Sequence, residues 1–219
     1  MAHLVDPKFR RLVESNLKEF DYIQASTDGR SAAVAVTIVD SGFGPVLSGM
    51  AQFKVWQESA SLILTRRSSR LRNHAGQWSF PGGRLEQGET PELAALREMR
   101  EEIGLKVSEE NIIGRLDDFV TRSGFIMTPV VCWAGNQKNL EPNPAEVESI
   151  HRIPISEFLR DDAPLLDPGD GPHPVLRMPV GDDWIAAPTA AIIYQFREVA
   201  VLGKSTRVAH FDQPKFAWS

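Results

Sequence analysis

The sequence predicts an α/β layered domain, and three observations carry that expectation. Residues 91–103 have helical periodicity with stop signals at both ends. Apolar runs at 32–39 and 60–65 have strand length and are rich in aliphatic residues. The chain of 219 residues is long enough to bury a core without staples. At ~150 residues per domain it fits one large domain, or one domain with extensions, with roughly 70% of the extended chain's surface buried on folding. Hydrophobic residues make up 42% and charged residues 24%, which excludes a disordered chain, a collagen-like fibre and a coiled-coil rod. The single cysteine, Cys132, excludes a disulfide framework or a cysteine zinc cage.

Each element follows from local pattern. Residues 7–22 space Phe9, Leu12, Val13, Leu17 and Phe20 by three or four with charges between them, an amphipathic helix packing on the core. Ala32–Val39 reads as a buried strand, and Asp40–Gly49, with three glycines and a proline, as a turn or loop. Ala60–Thr65 is a second strand. Gly82, Gly83 and Gly88 punctuate the next loop. Thr90 is the N-cap of the following helix, Pro91 its first residue, and Glu92 suits the positive end of the dipole. Leu93, Leu96, Met99 and Ile103 form its apolar stripe, and Gly104 stops it. Strands are expected near 115–121 and 127–134, with Cys132 buried, and a polar loop at 136–145. A short helix begins over Ser156–Leu159, an irregular loop follows at 161–173, and a last helix runs from Ala190 to Glu198.

The start of the chain, Met1–Arg11, lacks the roughly 7–15-residue apolar run of a secretory signal. The longest apolar run, Ala32–Val39, is far short of the ~20 residues of a spanning helix. The last residues, Ala217-Trp218-Ser219, match no retention or peroxisomal address. The expectation is a soluble cytoplasmic protein with no membrane partner. The net charge, 24 − 29 = −5, argues against a nucleic-acid partner held by bulk charge.

That average hides two opposed segments. Residues 62–84 carry Arg66, Arg67, Arg70, Arg72 and Arg84 and no acid, whereas 85–102 carry six glutamates against two arginines. Arginine forks match phosphate geometry, although a basic run is also compatible with a solvated face. On the helix, Glu98, Glu101 and Glu102 stand at i, i+3 and i+4 and share one face. Such a cluster suits a hard divalent cation, or else is a repulsive solvated face. Arg97 beside it can hold a carboxylate through a bidentate pair.

From Gly83 the chain reads GRLEQGETPELAALREMREEIGL, with Gly83, Glu89, Arg97, Glu98, Met99, Glu101, Glu102, Gly104 and Leu105 at fixed spacing. This resembles the signature of the Nudix hydrolases. The resemblance implies an α/β/α sandwich with a mixed β-sheet, and a loop–helix–loop that uses Mg²⁺ or Mn²⁺ to cleave a diphosphate. It implies Glu98 and Glu102 as metal ligands, Glu101 as ligand or base, Arg97 and Glu89 as orienting residues, and the Gly83 carbonyl as a further ligand. Metal chemistry of this kind aligns a water for in-line attack without a covalent intermediate. Glu146 falls where such enzymes often place an extra base or ligand, so Glu98, Glu101 and Glu146 are all candidate bases.

Leu64–Gln77 is similar to a second motif, L-T-x-R-S-x-x-L-R-x-H-x-G-Q, of the coenzyme A diphosphatases within that family, with Phe80-Pro81-Gly82-Gly83 following. Residues 128–131, 143–147 and 153–159 continue the likeness. It implies Arg67, Ser68, Arg72, His74 and Gln77 as substrate-binding residues and a CoA-like substrate, with other nucleoside diphosphates as the alternative. A non-catalytic nucleotide-sensing module would show eroded box glutamates, and none is eroded here. Trp78, Ala94, the long 40–59 connection and the segment Ile185–Ala190 depart from the subfamily pattern. The expected organisation is an N-terminal helical extension over 1–30, a Nudix domain over 31–160 and a C-terminal loop and helix extension of the same domain over 161–219. A homodimer is compatible with it. Trp78, Trp133 and Trp184 are expected in the core, Arg66 and Arg70 as solvated neighbours, and His3, His151, His173 and His210 in surface or structural positions.

Overall fold

A computed structural model describes residues 3–169 and 172–213. Asp170 and Gly171 of the 161–173 loop, and Ala217–Ser219, lie outside the described residues. Helix α1 (Pro7–Glu19) starts where Asp6 accepts the Phe9 N–H at 2.7 Å, with Pro7 at the first position. It ends three residues before the expected 22, because Phe20 turns into extended backbone and buries its ring.

Among the described residues an eight-stranded mixed sheet forms the centre. Strand β1 (Arg30–Gly42) runs parallel to β7 (Phe125–Gly135) and antiparallel to β2 (Gln57–Arg67). The short strands β3 (Trp78–Ser79) and β4 (Gly82–Arg84) pair with β2 and β1. Strands β5 (Ile112–Arg115) and β6 (Phe119–Val120) flank β7, and β8 (Val147–Pro154) flanks β2. Alternation along β1 sorts the core into two faces. Ala33, Ala35 and Val39 pack under helix α2 (Pro91–Ile103) with Met99 and Ile103. Val34, Val36 and Ile38 face α1 and helix α4 (Thr189–Phe196). The result is the α/β fold with helices on both faces of a mixed sheet. Cys132 and Trp133 are buried as expected.

Several boundaries differ from the sequence expectation. The strand at 32–39 extends to Gly42, and buried Asp40 accepts the Trp56 indole N–H and pairs with Arg152, which ties down the long connection. The expected strand at 115–121 breaks into β5 and β6 around Asp117, whose buried carboxylate accepts from the Ile23 N–H at 2.7 Å and the Gln195 amide at 2.6 Å. Strand β8 was not expected, because Glu148, His151 and Arg152 interrupt its apolar pattern. After helix α3 (Ile155–Phe158), a three-stranded sheet of β9 (Leu165–Asp167), β10 (Val175–Val180) and β11 (Asp183–Ala186) occupies what read as loop and unassigned chain. The last helix begins one residue early and passes into a π-helical turn at Arg197–Val201.

Candidate active site

Helix α2 has the bounds its caps predict. Thr90 Oγ1 accepts the Leu93 N–H at 3.3 Å, and Gly104 adopts φ 68° to close the C-terminus. Met99 and Ile103 of the expected stripe are buried toward β1, together with Ala94 and Ala95, whereas Leu93 is exposed because the small alanines take the place closest to the sheet; Glu98 faces β4. Arg97 organises the glutamates. Its Nε and Nη2 donate to the two oxygens of Glu89 at 2.9 and 3.0 Å, Nη1 donates to Glu98 at 2.9 Å and Glu101 at 3.1 Å, and Nη2 also reaches the Arg84 carbonyl. The guanidinium holds the Glu89 carboxyl below the usual carboxylate range.

Glu98 and Glu102 sit deeper. Burial pushes Glu98 upward. Glu102 is 6% exposed, and its pKa is pushed up to about 8, first by desolvation and then by the Glu98 charge, with Arg67 pulling the other way. A carboxylate buried against another carboxylate is an unbalanced arrangement that a cation corrects. Gly83 faces them closely: a Cβ there would collide with the Glu98 carboxylate. The glycine therefore lets the Glu98 carboxylate come directly against the strand backbone. Among the described residues no three acidic, histidine or cysteine side chains already converge as a metal cage. Glu98 and Glu101 are turned to Arg97 instead. Hard oxygen donors, a buried carboxylate pair and a glycine cradle fit a divalent ion with its waters.

The 143–147 turn lies against this helix. The Asn143 N–H donates to the Glu102 carbonyl at 2.8 Å, and the Ser68 N–H donates to the Glu146 carbonyl at 2.8 Å. Glu146 is exposed, accepts from the Asn143 amide at 3.2 Å, and adds negative potential to Glu98 and Glu102.

Beside Gly83 opens a cleft of about 350 Å³ lined in part by Arg67, His74, Gln77, Gly82, Gly83 and Arg84. The hairpin tip between β2 and β3 folds back, its Gly76 N–H donating to the Arg67 carbonyl at 3.0 Å. His74 takes φ 58° there, a left-handed conformation costly for a residue with a side chain and typical of functional turns. Arg67 has a buried Nε with no partner. Ser68 and Arg72 stand elsewhere. The Ser68 hydroxyl is buried and donates to the Pro144 carbonyl at 3.3 Å, which makes it an anchor for the turn. Arg72 is exposed and does not line the cleft.

Arg66 is not a solvated neighbour. Its guanidinium lies 4.0 Å over the Trp78 ring and pairs with Asp183, which also accepts the Trp78 indole N–H at 3.2 Å. Thr189 Oγ1 donates to the Trp78 carbonyl at 3.1 Å. These contacts bring Pro188 and Thr189 from the C-terminal region into the cleft wall, and Phe125, Thr121 and Gln213 line its other end. Sequence reading missed those residues, because nothing local marks them. The departure of Ile185–Ala190 from the subfamily pattern was the one available signal for the wall. Trp78 is buried against His151, and Trp184 is half-buried under Arg177. No described helix is long and apolar enough to cross a membrane.

Comparison with known proteins agrees with this geometry. Nudix hydrolase 3 of Caenorhabditis elegans is 34% identical over 151 residues, 67% of this chain and 60% of that protein. An uncharacterized Nudix hydrolase, NudL, of Photorhabdus laumondii is 40% identical over 100 residues, 45% of this chain and 54% of that one. The matched stretch thus spans between about half and three fifths of these relatives. The crystal structure of a MutT/nudix family protein from Enterococcus faecalis shares the fold, with a TM-score of 0.51 over 80% of this chain and 63% of that one at 18% identity. The model of the NUDIX domain matches residues 49–172, more than half of the chain. The box glutamates around Arg97, the glycine cradle and this match together place the chain in the Nudix family.

Proposed function

We propose that this protein is a divalent-metal-dependent diphosphatase acting on coenzyme A or its acyl derivatives, yielding phosphopantetheine, or its acyl form, and adenosine 3′,5′-bisphosphate. One observation carries the reading: the carboxylate face of α2 and a cleft bearing arginines but no acid meet at Gly83. A substrate with both a scissile diphosphate and outlying phosphates uses both halves. The likeness of 64–77 to the coenzyme A diphosphatase motif supports the choice of substrate.

Glu98, Glu102 and the Gly83 carbonyl are the groups that would hold Mg²⁺ or Mn²⁺, which when bound neutralises diphosphate oxygens and activates a water. Arg97 and Glu89 fix the glutamate rotamers. Glu101 and Glu146 are the more exposed acids, able to exchange a proton with solvent. Arg67 and His74 face the cleft and orient phosphate groups. The experiment is incubation of the purified protein with CoA and Mg²⁺ or Mn²⁺, with products resolved by chromatography and Glu102→Gln as the comparison. The expected result is bisphosphate release by wild type and background release by the folded variant. Absence of bisphosphate with either metal overturns the CoA assignment. Cleavage of a dinucleotide, ADP-ribose or a nucleotide sugar in its place redirects it.

A further inference from the structure

The end of the cleft away from the hairpin tip is built around one aromatic ring. Phe125, the first residue of β7, is half-buried and lines the cleft. Two guanidinium groups surround its ring: Arg30 at 4.0 Å and Arg84 at 5.1 Å from the centroid. The fold forces this meeting. Arg30 is the register partner of Phe125 across the parallel β1–β7 pair, and Arg84 is the partner of Ala32 on the β1–β4 side. Arg30 is fixed, its Nη2 donating to the Ser123 carbonyl at 2.6 Å. The Arg84 guanidinium is exposed and, among the described residues, makes no ion pair. Arg30 and Arg67 likewise lack a carboxylate partner at salt-bridge distance among the described residues, unlike Arg66, Arg97 or Arg152.

Three cations that form no salt bridge among the described residues, close to a cleft with no acid in its lining, are an arrangement that a polyanion completes. An aromatic face among them adds affinity for a planar base. The other large ring of the cleft, Trp78, is buried: Arg66, held by Asp183, covers it and His151 abuts it edge-on, whereas Phe125 is half-buried and the second of its two cations, Arg84, is held by no ion pair among the described residues. Next to Phe125 the turn that carries the ring is held in place: the Thr121 hydroxyl accepts the Phe125 N–H at 2.9 Å, and the Gln213 amide accepts the Arg122 N–H at 3.1 Å and donates to the Val120 carbonyl at 3.1 Å. Arg84 directly follows Gly83, so it lies between the glutamate pair and the ring.

We propose that Phe125 is the platform on which the nucleobase of the substrate stacks, with Arg84 contacting the phosphate carried by the same nucleoside. This rests on the nucleoside-diphosphate reading of the site and assigns which end of the cleft takes the nucleotide half. The test is calorimetric titration of the full chain with adenosine 3′,5′-bisphosphate, adenosine and phosphopantetheine. Wild type is compared with Phe125→Leu, Phe125→Trp and Arg84→Gln, and thermal melts establish that each variant is folded. Phe125→Leu is expected to weaken bisphosphate binding about ten- to a hundredfold, Phe125→Trp to retain it, and phosphopantetheine binding to stay unchanged in both. Arg84→Gln is expected to weaken the bisphosphate and leave adenosine alone. Equal bisphosphate affinity in wild type and Phe125→Leu, no bisphosphate binding to wild type, or loss in Phe125→Trp as large as in Phe125→Leu overturns the platform. CoA turnover by wild type alongside any of those results leaves the diphosphatase standing. Ring-dependent nucleotide binding without turnover of CoA leaves the platform and removes the CoA assignment.

Discussion

Arg97 touches Glu89, Glu98 and Glu101 at once, and only a planar fork can do so. A lysine keeps the charge and loses the bidentate grip on Glu89. Arg97→Lys is therefore expected to lower kcat by about 10- to 100-fold with a smaller change in KM, read from steady-state kinetics at saturating metal. An unchanged kcat would sink the orienting role. His151 illustrates a different residue-level effect. It is buried, its Nδ1 has no partner, and Nε2 lies 2.7 Å from the Ser149 hydroxyl. Burial first, then the Arg66 charge, lowers its pKa to about 4 from 6.5. Between those values the unfolded chain binds a proton that the folded chain refuses. Its contribution is whole above pH 6.5 and drains as pH falls toward 4. His151→Phe should remove roughly 2–3 kcal/mol of the stability lost between neutral and acid pH. Urea melts across that range check it, and parallel acid limbs in both proteins would contradict it.

At the scale of elements, adjacent glycines in β4 separate structure from chemistry. A Cβ at Gly82 meets the Ala33 carbonyl and the Val34 backbone, whereas the three atoms nearest one at Gly83 all belong to the Glu98 side chain. Gly82→Ala should cost about 1–3 kcal/mol through overpacking, seen as a lower melting temperature. Gly83→Ala should melt near wild type and lose most activity, because Glu98 must move. The reverse pattern would show that Gly83 is a packing position. The bounds of helix α2 were legible to the residue, since cap, first-turn proline and stop all agree, but of its expected stripe only Met99 and Ile103 are buried, with Ala94 and Ala95 in place of Leu93 and Leu96. Strand β8 was not legible. Its Arg152 is satisfied by Asp40 on β1, a partner more than a hundred residues away in sequence. The same holds for the split of the 115–121 strand, which depends on Gln195 and Ile23 meeting Asp117.

Across the whole molecule, the C-terminal sheet and α4 share the core of the central sheet. Leu176, Met178, Ile185, Ile193 and Phe196 are buried in one cluster with Val34, Val36 and Leu62. At about 1.5–3 kcal/mol each, losing these five is comparable with an entire ~5–15 kcal/mol stability margin. A chain ended at Arg160 is accordingly expected not to fold, with little soluble protein and no cooperative melt. A truncated chain with a sharp transition would make residues 161–213 a separate unit. The net charge of −5 is likewise a sum over parts that the fold sets against each other. By itself the sequence determined the local features: the bounds of α2, the spacing of its glutamates, the basic run and the family likeness. Each depends on residues a few positions apart. Only the tertiary structure decided which arginines are spent on Asp183 or Glu89 and which form no salt bridge among the described residues. It also decided that Ser68 is an anchor, and that Phe125, Pro188 and Thr189 line the cleft. Those outcomes depend on strand register and on packing between distant segments, and no local pattern encodes them.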